Sequence, residues 1–248
     1  MNENQNQDFS TSDDWQDTPY VSTQHTMADT QELMAKVATK SFMVTFFGLI
    51  LTTVAAYIMA SDFYYVWKMV TSGAYVFLIV AELIVVLVNS WAISKKQLGL
   101  AAAMYVVYSI INGITLSVIF YAYDIGTIQD AFLMSAIVFG VMAAYGYFTK
   151  KDLSSMGSIC AMALLGVILV SLLNVLFFKS SGLDMLMDYV VVLLFVGITA
   201  YDMYRMKQMA LEGGAEEENR IALFTGMQLY LDFINIFLRL VRIMSKKR

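Results

Sequence analysis

Seven apolar stretches, most of them close to twenty residues long, dominate this 248-residue chain. Four carry no charged side chain, at 41–61, 97–123, 131–149 and 153–178. Three are each interrupted by one acid: Glu82 in 73–93, Asp202 in 189–206 and Asp232 in 221–240. About 20 helical residues cross the ~30 Å hydrocarbon core of a bilayer. Lipid offers no hydrogen bonds, so each crossing segment must satisfy its own backbone, as a helix does. The only proline, Pro19, lies outside all seven stretches, so each can hold an unbroken ladder. The expected fold class is therefore all-α, a polytopic membrane protein with a seven-transmembrane-helix bundle over 39–248.

Composition agrees. Charged residues make up 15% of the chain, against about 25% in soluble domains, and mean hydropathy is +0.64. The net charge of −4 is concentrated at the start. Glu3, Asp8, Asp13, Asp14, Asp17, Asp29 and Glu32 face only Lys36 and Lys40 there. Residues 1–38 read as a disordered, acidic cytoplasmic tail without a signal peptide. No basic face exists for nucleic acid. His25 lies in this tail and Cys160 in an apolar run, so His- or Cys-based catalysis or metal ligation is not expected in the bundle, and no cofactor is implied.

Loop charges orient the bundle. Lys36, Lys40, Lys95, Lys96, Lys150, Lys151, Arg205, Lys207 and Arg220 fall on one side, against Lys68 and Lys179 on the other. The first side is cytoplasmic by the positive-inside rule, and the N-terminus with it. Arg239, Arg242, Lys246, Lys247 and Arg248 conflict with this if the last segment crosses fully; a re-entrant last helix would return them. A full span is the preferred reading. The stretch 212–218, rich in Glu and Gly, reads as a flexible, solvated connector.

A carboxylate at mid-membrane costs roughly 2.5–3.5 kcal/mol on the insertion scale, so each one needs a reason. Gln228, Asp232, Asn235 and Arg239 follow at intervals of four, three and four and share one helical face. That stripe faces the bundle interior or a water-filled cavity, unless Asp232 and Arg239 serve only as an internal pair. Asp202 has Thr199 and Arg205 one turn away on either side; its alternative reading is an interfacial acid. Glu82 has no basic neighbour in sequence, so it is either protonated or held by a polar group on another helix. Asn112 and Asn174 are read as interhelical hydrogen-bonding residues.

The segment 198–207, Ile-Thr-Ala-Tyr-Asp-Met-Tyr-Arg-Met-Lys, resembles the sixth-helix signature of the Bax inhibitor-1 family (transmembrane Bax inhibitor motif proteins). The segment 230–240, Tyr-Leu-Asp-Phe-Ile-Asn-Ile-Phe-Leu-Arg-Leu, resembles its last helix and is the more specific match. Asn112-Gly113-Ile114-Thr115-Leu116 and Lys150-Lys151-Asp152-Leu153-Ser154 are weaker matches in family order. The resemblance covers roughly residues 35–245 and points to a bacterial member. It implies a seven-helix fold with the last helix central, and a pH-sensitive calcium leak. It assigns calcium contact to the residues matching Asp202 and Asp232, and pH sensing and gating to these two together with Glu82 in the same polar interior. Asn235, Arg205 and Arg239 are expected to support the ion path. Some bacterial members carry an arginine near the cytoplasmic end of the second helix. Ile93 stands there in this chain, with Lys95 or Arg205 as substitutes.

Three functions compete. The first is a passive cation leak gated by protonation of the aspartate pair, with calcium and protons as partners beside the bilayer. Two carboxylates in contact titrate as a unit, and calcium prefers oxygen ligands. The second is a membrane-embedded regulator that binds a protein partner without transport. In the family's terms this means cell-death suppression or modulation of a membrane protease. The third is an intramembrane aspartyl protease, which Tyr201-Asp202 superficially suggests. Asp232 lies in Tyr-Leu-Asp-Phe rather than Gly-x-Gly-Asp, so enzyme activity is not expected. The expected location is a bacterial inner membrane with the N-terminus cytoplasmic, and endoplasmic reticulum or Golgi is the lesser alternative.

Overall fold

A computed structural model describes residues 27–246, and everything described is helical, turn or loop. Among the described residues, seven helices are long and apolar enough to cross a membrane. They are α1 (Met27–Ala60), α3 (Ala74–Ser94), α4 (Leu98–Leu116), α6 (Ile125–Phe148), α7 (Ser154–Leu173), α8 (Ser181–Gly213) and α9 (Glu218–Ser245). Two short helices, α2 (Phe63–Thr71) and α5 (Ile119–Ala122), lie between them.

Helix α1 starts at Met27, so residues 27–38 of the expected disordered tail are helical. Residues 1–26 of that tail lie outside the described residues. The reason for the early start is tertiary. Val37 is fully buried, and Leu33 and Met34 pack on the main core cluster, while Glu32 and Lys36 pair at 2.7 Å one turn apart. Helix α2 falls where only a connector was expected. Asp62 caps it by accepting from the Tyr64 N–H at 2.9 Å. Val66 and Met69 face inward while Tyr64, Tyr65 and Trp67 stay exposed, which suits a helix lying in the aromatic-rich interface. Helix α6 begins at Ile125, ahead of the expected 131, because the Asp124 carboxylate accepts from Thr127 N–H at 2.9 Å.

The connector at 212–218 is not loose. Gly214 turns the chain with φ +64°, as glycine does without steric cost, and a 3-10 turn follows at Ala215–Glu217. Glu217 pairs with Lys96 and Arg220, and Glu218 pairs with Lys40 at 2.7 Å. The acidic segment therefore straps α1 and the α3–α4 turn to the α8–α9 turn. These contacts, with Lys207 donating to the Thr149 carbonyl at 2.8 Å, gather the cytoplasmic lysines at one end of the bundle. At the same end Ser154 holds the Asp152 carboxyl below the usual carboxylate range, aided by the Tyr204 hydroxyl.

Helix α9 is unbroken over 28 residues, or about 42 Å, which is a full crossing length rather than a re-entrant one. It packs against α1, α8, α6, α4 and α3. Two-thirds of its most apolar window is buried, compared with 44% or less in the other spans. Gly226 makes the α1 contact close: a Cβ there would stand 2.6 Å from the Val44 side chain and 2.8 Å from the Ser41 carbonyl oxygen.

Candidate functional site

Two polar clusters lie along α9. The inner one joins Asp202 on α8 to Asp232 on α9, each 3% exposed. The carboxyl groups are close enough to interact electrostatically, and Thr199 sits beside Asp232. The Thr199 hydroxyl donates to the Phe195 carbonyl at 2.8 Å, and Asp232 Oδ2 has no hydrogen-bond partner among the described residues. Arg205, one turn beyond Asp202, is the cation whose field Asp202 feels. Its guanidinium lies over the Phe224 ring at 5.1 Å. Ile93 is buried in the apolar cluster that packs against Phe224, and Arg205 is the base whose charge reaches Asp202.

The outer cluster surrounds a cavity of about 390 Å³ between α3, α4, α5 and α9. Glu82, Asn112, Thr115, Asn235, Arg239 and Arg242 supply its polar and charged wall. Glu82 Oε1 accepts from the Thr115 hydroxyl at 2.6 Å and Oε2 from the Asn112 amide at 3.4 Å. Asn112 Oδ1 accepts from the Tyr230 hydroxyl at 3.1 Å, and Tyr230 meets the Thr52 hydroxyl at 2.5 Å. Glu82 is thus tied through α4 to α9 and α1, and its hydrogen bonds go to this cluster rather than to the aspartate pair. Asn235 donates its amide to the Leu231 carbonyl at 2.8 Å, which leaves its own carbonyl oxygen available. It lies three residues, or about 4.5 Å along the axis, from Asp232. The polar stripe on α9 therefore connects the two clusters.

Asp188 is the residue that sequence reasoning misses. It lies on α8, is 0% exposed, and meets Arg239 at 3.0 Å, Arg242 at 3.2 Å and Lys246 at 4.0 Å. The sixth apolar stretch begins at residue 189, so in sequence Asp188 reads as a loop acid. The signal available is the surplus of base at the C-terminus, which needs an acid if α9 crosses fully. Arg239 accordingly pairs with Asp188 instead of Asp232. Among the described residues no group of three or more His, Cys, Asp or Glu is placed to hold a metal. The Asp202–Asp232 pair offers two carboxylates, whereas a resident calcium ion takes six to eight oxygens.

A bundle of seven crossing helices with a buried acid pair and a separate polar cavity is an integral membrane protein with a polar interior. The chain belongs to the Bax inhibitor-1 family: the family described as "Inhibitor of apoptosis-promoting Bax1" matches residues 34–248. Inner membrane protein YbhL of Escherichia coli (strain K12) is 37% identical over 205 residues, covering 81% of this chain and 87% of that protein. An uncharacterized protein of Borreliella burgdorferi is 37% identical over 224 residues, covering 88% and 96%. An uncharacterized membrane protein of Streptococcus pyogenes serotype M6 is 37% identical over 167 residues, covering 67% and 72%. The family is one of membrane proteins and not a known enzyme family, and the relative from Escherichia coli is a bacterial inner-membrane protein.

Proposed function

We propose that the chain lets cations, calcium among them, leak passively through the bilayer, with the protons on the Asp202–Asp232 pair setting the flow. The observation that carries this reading is the outer cavity, whose wall includes Asn235, one turn of α9 from the unpartnered Oδ2 of Asp232. An ion entering past Tyr75 and Glu82 has the oxygens of Thr115, Asn112 and Asn235 along its way to the pair. The two arginines of the same wall are paired with Asp188, which offsets their repulsion. Beyond the pair lie Arg205 and the cytoplasmic end. The membrane potential suffices to drive the ion, at about 4.6 kcal/mol for two charges across 100 mV. A proton held by the pair competes directly with the ion, because the carboxylate oxygens are the ligands for both.

Calcium flux into liposomes carrying the purified protein, followed from mildly acidic to mildly alkaline pH, tests this reading. Wild type is expected to show pH-dependent flux, and Asp202→Asn and Asp232→Asn to flatten that dependence with the bundle intact. Glu82→Gln is expected to leave the pH dependence nearly unchanged, since Thr115 and Asn112 hold Glu82 away from the pair. Folded wild type that passes no calcium at any pH would replace the leak with the reading of a regulator that binds a protein partner. Deleting residues 1–26 is expected to leave the leak unchanged.

A further inference from the structure

Helices α1 and α6 flank an apolar groove that no described residue fills. They touch through the edge-to-face pair of Phe42 and Phe139, with centroids 6.4 Å apart. Met203 of α8 and Phe233 of α9 floor the seam between them. Three cavities run along it, of about 330, 440 and 350 Å³. Phe42 and Gly140 line both the first and the second, and Leu49, Thr53, Phe132 and Phe233 line both the second and the third. They form one continuous groove. On α1 it runs from Ala35 to Val54, about 28 Å of helix, which matches the ~30 Å hydrocarbon core.

Phe46, Ile50 and Phe132 on its rim are 61%, 60% and 48% exposed, so the groove opens sideways toward lipid. Its threonine hydroxyls are already spent. Thr39, Thr45 and Thr53 each donate to the carbonyl four residues back, at 2.8, 2.9 and 2.8 Å. Apart from Gln129 and Tyr147, the surface offered is hydrocarbon. At the cytoplasmic end the groove finishes at Tyr147 and Phe148. Lys150 follows two residues later, is exposed, and makes no ion pair among the described residues.

We infer that the cytoplasmic half of this groove is a binding site for a phospholipid of that leaflet, with one acyl chain between α1 and α6 and the phosphate at Lys150. The alternative occupant, a partner's transmembrane helix, is too wide. Over the same length a helix about 10–12 Å across fills roughly 2,000–3,000 Å³, about twice what the three segments hold together. An acyl chain is a single file of methylenes and needs no hydrogen-bond partner. Phe233 in the floor follows Asp232 directly, so a seated chain bears on the helix that carries the aspartate pair.

Gly140 provides the test. A Cβ there meets nothing within 4 Å, so Gly140→Phe can fill the groove without moving backbone. Gly166 on α7 is equally open and lies outside the groove, so Gly166→Phe is a matched control. The purified full chain in detergent is titrated with phosphatidylglycerol and bound lipid is counted by native mass spectrometry, with thermal unfolding as the check on folding. Wild type and Gly166→Phe are expected to retain lipid, Gly140→Phe to hold it about tenfold more weakly, and Lys150→Gln to weaken phosphatidylglycerol but not diacylglycerol. Ala136→Leu, which narrows the same segment, substitutes if Gly140→Phe does not fold. Equal retention by wild type and the groove variants, or equal loss at Gly140 and Gly166, overturns the site. Unchanged phosphatidylglycerol binding in Lys150→Gln overturns the placement of the phosphate.

Discussion

Replacing Arg239 and Arg242 together by leucine is expected to destabilise the protein by about 3 kcal/mol, toward the lower end of the cost of stranding a buried charge. Asp188 is fully enclosed, and both guanidinium groups lie within 3.2 Å of its Oδ1. With them gone its one remaining cation among the described residues is Lys246, at 4.0 Å from Oδ2. The flexible stem of that lysine recovers only part of the interaction. The opposite deletion, Asp188→Asn, is expected to cost less, about 1–2 kcal/mol, because the three cations are each about a third exposed and can turn to water. Adding Asp188→Asn to the double leucine variant is expected to restore most of the lost stability, since no unpaired charge then remains buried. Thermal and denaturant unfolding in detergent reads all four proteins. A double variant as stable as wild type, or a triple variant no better than the double, would show that the cluster does not hold α8 to α9.

Gly146→Leu is expected to cost at least about 3 kcal/mol and to disturb the aspartate pair as well, at the upper end of overpacking effects. A Cβ at position 146 would lie 2.1 Å from the Ala200 carbonyl oxygen and 2.8 Å from its Cα. These are backbone atoms of α8, so no rotamer change relieves the clash and α6 and α8 must separate. Ala200 lies two residues before Asp202, so the separation also moves Asp202 relative to Asp232. Gly166→Leu meets open space and is expected to leave unfolding within about 0.5 kcal/mol of wild type. The paired readout is unfolding midpoint and the pH profile of calcium flux. A Gly146→Leu variant with wild-type stability and profile would rule out this close crossing.

The seven crossings, their helical character and the basic end of the bundle are legible in the sequence, because each depends on how a single segment is solvated. A run of some twenty apolar residues has one low-cost environment and one backbone that satisfies itself there. The polar stripe from Gln228 to Arg239 is legible for the same reason, since helical spacing alone puts those residues on one face.

Partnership between helices is decided by the tertiary structure. Whether Arg239 reaches Asp232 or Asp188, and whether Glu82 joins the aspartates or Asn112 and Thr115, depends on the depth and rotation of one helix against another. The ordering of residues 27–38 and of the acidic strap is of this kind too. Polar sequence predicts solvation, but Val37 finds a core, and Glu217 and Glu218 find lysines from distant turns. Hydropathy is a property of one segment read along the chain, whereas charge pairing is a property of two segments brought together, and only the packed bundle brings them together.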